Sequence, residues 1–63
     1  MSAGISPVLL RPEEAAECLG IGRTKIYELI RSGALRFVRI GTLRRVPASA
    51  LTEFVAHLEE EAA

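Results

Sequence analysis

The side chains with most to offer chemically are cationic, and they fall into two close-set groups. Arg23, Thr24 and Lys25 are consecutive, with Tyr27 and Arg31 further along the same stretch. Arginine and lysine can donate to guanine O6 and N7, and threonine can donate to a base or pack on a thymine methyl. A tyrosine hydroxyl can bond a phosphate, and a further arginine can neutralise one. The second group, Arg39, Thr42, Arg44 and Arg45, surrounds Gly41. A basic turn of this kind reaches the phosphates or the minor groove of a duplex. One basic stretch alone reads equally well as a solvated face. Two neighbouring ones point to a polyanion.

The overall charge hides this pattern. Eight basic and eight acidic residues in 63 give a net charge of zero. By position, residues 1–22 carry −2, residues 23–45 carry +6 and residues 46–63 carry −4. Blocks of one sign along so short a chain mark the basic block as the contact surface.

The rest of the inventory excludes most enzyme chemistry. There is one histidine, His57, one cysteine, Cys18, and no aspartate or asparagine. Neither a metal site with recognised spacing nor a nucleophile–histidine–carboxylate set of the usual kind can be assembled from these. No enzyme activity, metal or cofactor is expected. A lone thiol fits a reducing compartment, and no apolar run nears the roughly 20 residues that span a bilayer. The N-terminus lacks signal-peptide features, so a cytoplasmic protein without membrane association is expected.

The elements that position the two basic groups follow from local rules. Pro12-Glu13-Glu14 opens a helix, with proline at its first position, two carboxylates at the positive end of its dipole and Arg11 as a weak N-cap. Ala15, Ala16 and Leu19 face inward, Glu13, Glu14 and Glu17 face water, and Cys18 sits at the margin of the buried face. Gly20 ends this helix. Gly22 caps a second, whose buried stripe is Ile26, Leu29 and Ile30, and Ser32-Gly33 stops it. Two helices joined by about three residues are a helix-turn-helix, with Arg23, Thr24 and Lys25 leading the second helix.

Phe37–Ile40 and Arg44–Val46 read as a hairpin. A three-residue loop pairs Val38 with Val46 and Arg39 with Arg45, keeping apolar side chains on one face. A two-residue loop pairs Val38 with Arg45 and mixes the faces, so the longer loop is expected. After Pro47, the stripe Leu51, Phe54, Val55 and Leu58 predicts a third helix with those four residues in the core. His57 is exposed, and Glu59-Glu60-Glu61 at the negative end of the dipole predicts fraying. The fold class is thus α+β, mainly α: a small winged helix-turn-helix with two N-terminal helices, a β-hairpin wing and a C-terminal helix. Residues 1–7 form a flexible lead-in, 8–59 the domain and 60–63 a frayed acidic end.

The run from Leu10 through Gly20, Arg23, Tyr27 and Gly33 to Leu35, then Val38-Arg39-Ile40-Gly41 and Arg45-Val46-Pro47 with Leu51 and Phe54, resembles the excisionase-type winged helix-turn-helix domain. That domain is related to the DNA-binding domain of the MerR regulators. The resemblance covers about residues 9–58. It implies contacts to double-stranded DNA from Arg23, Thr24, Lys25, Tyr27 and Arg31 on a recognition helix, and from the wing around Thr42, Arg44 and Arg45. It also implies a protein that binds beside attachment sites, bends DNA and directs an integrase toward excision. A small transcriptional regulator on the same fold is the alternative, and a protein-interaction module is a third reading. Arg11 and Gly22 depart from the hydroxyl caps usual in this family. A single small module also predicts several copies associating on adjacent sites.

Overall fold

Short-range rules set the ends of the first two helices in the computed structural model, which describes residues 8–62. Helix α1 spans Pro12–Leu19 and α2 spans Arg23–Ser32. Gly20 takes a φ of 71°, and its N–H bonds Glu17 O while that of Ile21 bonds Ala16 O. This pair satisfies two carbonyls that the helix end leaves free. At the other end of α1, Glu14 accepts the Arg11 backbone N–H at 2.8 Å. That is half of a capping box, because a guanidinium has no acceptor with which to return the bond.

Three short strands complete the framework: β1 (Leu9–Leu10), β2 (Val38–Ile40) and β3 (Leu43–Pro47), in the antiparallel order β1-β3-β2. The apolar pair Leu9-Leu10 supplies the outer strand: Leu9 pairs with Pro47 and Leu10 with Val46. Helix α3 (Ala48–Ala62) follows β3 directly, and its first N–H bonds Val8 O at 2.9 Å. No helix among the described residues is long and apolar enough to cross a membrane.

The core lies where the two helices, β3 and the start of α3 meet. Ile26, Leu35 and Val46 are its largest fully enclosed side chains, with Ala15, Ala16, Ile30 and Ala50 around them. Burial of each large side chain contributes about 1.5–3 kcal/mol. Small Ala15 and Ala16 on α1 leave room for α2 to approach. Leu35 lies outside any helix or strand and is held by its backbone N–H to Leu29 O, 3.1 Å away.

Several expectations are corrected. The hairpin has the two-residue loop: Val38 pairs with Arg45, Arg39 with Arg44 and Ile40 with Leu43. All of β2 is exposed, so no core face dictates its register. The turn decides instead, with a φ of 62° at Gly41 and no positive φ at Thr42, as a type II′ turn requires. On α3, Leu51 and Phe54 are half-buried, but Val55 and Leu58 are 41% and 47% exposed, because they line an open apolar groove with Leu19, Ile21 and Leu29 rather than packing closed against them. Cys18 is exposed. Glu13 and Glu14 are half-buried, because α2 and the Arg11 backbone supply them with partners. Glu60 and Glu61 lie in α3, which runs to Ala62, and the 1–7 lead-in lies outside the described residues.

Candidate nucleic-acid interface

Gly22 caps α2 without a side chain, and the space its Cβ would occupy is empty to 4 Å. The first turn therefore stands open, with Arg23, Thr24 and Lys25 all exposed. A helix N-terminus presents free N–H groups and the positive end of its dipole, which suits an anionic ligand. Arg31 is exposed in the last turn of α2.

The cations of that first turn are already partnered. Arg23 Nη2 lies 3.6 Å from Glu13 Oε2, and Lys25 Nζ lies 3.7 Å from Glu28 Oε1. Tyr27 is half-buried, and its hydroxyl donates to Glu13 Oε2 at 2.9 Å. Glu13 thus serves two neighbours on α2. Its own backbone N–H, then the Tyr27 hydroxyl, then Arg23 and Arg11 hold its carboxyl below the ordinary value. Glu14 is lowered as well, chiefly by the Arg11 backbone N–H.

The wing is built differently. Arg39 and Arg44 face each other across the β2–β3 ladder, an arrangement that costs stability unless an anion is present. The Arg44 guanidinium lies 5.9 Å from the centre of the Phe37 ring, and Arg45 donates through Nη1 to Arg44 O at 2.8 Å. Among the described residues, no carboxylate lies within ion-pair distance of Arg31, Arg39, Arg44 or Arg45. Thr42 is exposed at the tip, flanked by Ile40 and Leu43, each about half exposed.

Tyr27 and the wing meet in an open groove of about 410 Å³, lined by Arg11, Pro12, Glu13, Tyr27 and Thr42–Arg45. Four of the candidate residues, Tyr27, Thr42, Arg44 and Arg45, are thereby brought together, and Arg23 reaches the rim through Glu13. Thr24, Lys25, Arg31 and Arg39 lie outside this groove. Arg11 and Glu13 join the site without having stood out in the sequence, where both were read only as parts of a helix start.

Arg36 leaves the basic block altogether. It binds both Glu53 oxygens, through Nε at 3.3 Å and Nη2 at 3.1 Å, and Ser49 Oγ at 3.2 Å. This cation fastens the loop before β2 to α3. The reading of the whole basic block as contact surface therefore does not extend to Arg36.

Comparison with known proteins agrees with this architecture. Residues 9–58 match the helix-turn-helix domain family. The chain is 55% identical over 51 residues to a probable excisionase from Saccharopolyspora erythraea, a match covering 81% of this chain and 52% of that protein. It is 39% identical over 51 residues to an excisionase from Streptomyces ambofaciens, covering 81% and 82% respectively. The chain thus spans about half of the first relative and about four-fifths of the second. No solved structure matches it. With two capped helices, a three-residue turn and a hairpin wing in place, the chain belongs to the helix-turn-helix domain family and is an excisionase-type member of it.

Proposed function

We propose that this chain binds double-stranded DNA beside attachment sites, bends it and directs an integrase toward excision. The observation that carries the reading is the groove where Tyr27 of α2 meets Thr42, Arg44 and Arg45 of the wing. A helix for the major groove and a basic turn for the adjacent minor groove or its phosphates then act as one surface. In this reading Arg23, Thr24 and Lys25 address base edges, Tyr27 and Arg31 the nearby backbone, and Arg39, Thr42, Arg44 and Arg45 the wing side. The names of the two relatives support the excisionase role.

The chain works in the cytoplasm and supplies no catalytic group of its own; the integrase cuts and rejoins the strands. A single module covers only about 600–1,000 Å² on DNA, so several copies act together on neighbouring sites. Footprinting of the DNA flanking its own gene, paired with an excision assay using an integrase encoded in the same element, tests the proposal. Protection beside the attachment site and excision that depends on the chain are expected. Protection confined to a promoter, with excision unaffected, would favour transcriptional regulation, and no protection anywhere would overturn DNA binding.

A further inference from the structure

Both cations in the first turn of α2 have an intramolecular carboxylate, and one of these carboxylates, Glu13, comes from a different helix. Glu13 also takes the Tyr27 hydroxyl, so it joins α1 to two side chains proposed to meet DNA. A lone phosphate offers Arg23 only the exchange of one anion for another. The paired O6 and N7 acceptors of a guanine offer something Glu13 does not, a bidentate set in the plane of the guanidinium. A carboxylate left facing a polyanion also repels every duplex alike, whatever its sequence.

We infer that Glu13 is a specificity-determining residue: it offsets Arg23 and holds Tyr27, so that the recognition turn answers base edges rather than phosphate charge. The inference rests on the DNA-binding reading above and deepens it. Glu13 lines the groove between Tyr27 and the wing, so on the DNA-binding reading its charge faces any backbone laid along that groove. In this arrangement it weakens binding to all DNA, and weakens the wrong DNA more.

Glu13→Gln separates charge from shape, because the amide oxygen can still accept the Tyr27 hydroxyl. Binding is measured to the footprinted duplex and to a scrambled duplex of the same composition, each across a salt series. The variant should bind the scrambled duplex about threefold or more tighter, with a salt slope steeper by about one, as expected for one further neutralised phosphate. Binding to the footprinted duplex should change less, so discrimination falls. Equal changes on both duplexes, or an unchanged slope, would overturn the inference.

Arg23→Gln in the chain that keeps Glu13 gives an independent reading should the first variant fold poorly. It should lose about tenfold or more on the footprinted duplex and less than about twofold on the scrambled one. Equal loss on both would count against a role for Glu13. A parent chain that binds neither duplex would overturn the DNA-binding reading itself, whereas a parent that binds selectively while Glu13→Gln keeps its selectivity overturns only this inference.

Discussion

Arg23 and Lys25, at the start of α2, lie 3.6 and 3.7 Å from carboxylates, whereas Arg39, Arg44 and Arg45 in the wing have none within ion-pair distance among the described residues, Arg45 acting on Glu14 only from further off. The two regions carry the same kind of side chain in opposite electrostatic settings. Exposed ion pairs are weak, about 0–1 kcal/mol, so neither carboxylate locks its cation away. They do lower what an undirected anion gains by approaching. On the proposed reading the wing is therefore suited to general attraction and α2 to discrimination, a difference the two basic groups of the sequence do not show.

The sharpest way to break this comparison is Arg23→Ala. Loss of a bidentate base contact should cost about 1–3 kcal/mol on the proper site and relax preference at one base position. Quantitative binding to a set of single-base variants checks it, and uniform weakening would erase the distinction between the regions. Next in size, Arg44→Ala and Arg45→Ala should each weaken binding about three- to tenfold on every duplex and lower the salt slope by about one. Arg36→Ala is the control, since its guanidinium is held by Glu53 and Ser49 and should leave the slope unchanged. In the unaltered chain Arg31, Arg39, Arg44 and Arg45, unpaired among the described residues, should set that slope at about −3.6.

The smallest effect concerns acid. Folding lowers the carboxyl pKa of Glu13 and Glu14, so each contributes stability that is complete above the ordinary value of 4.5 and is lost as the pH falls below it. Thermal unfolding should be insensitive to pH near neutrality and should ease progressively below 4.5. Tyr27→Phe should make that decline shallower, because it removes a bond to Glu13 and none to the wing.

The helix-turn-helix is legible because its signals are local. Pro12, Gly20, Gly22 and Gly33 act on their own backbone, and the stripe of Ile26, Leu29 and Ile30 follows helical spacing. The hairpin register is not legible from facial pattern, which presumes a strand with one buried face, and β2 has none. Gly41 held the better clue, since a glycine leading a two-residue loop is itself a register signal. On α3 the spacing identifies an apolar stripe, but whether Val55 and Leu58 are covered depends on how far neighbouring elements reach. Leu35 belongs to no period at all. At the site, the residue types were readable and their partners were not: Glu13 and Tyr27 are 14 positions apart and meet only because α1 packs on α2.

Strand β3 belongs to two structures at once. Its first three residues pair with β2 and form the wing, and its last two pair with β1 beside the core, with α3 following at the next residue. The wing therefore runs without a break from β3 into the core. That anchorage restrains the wing relative to α2, so part of the entropy of aligning two contact elements is lost on folding rather than on binding. On the proposed reading, a duplex that suits the helix but presents its neighbouring groove at another angle would have to deform, and the anchored strand would then read DNA stiffness.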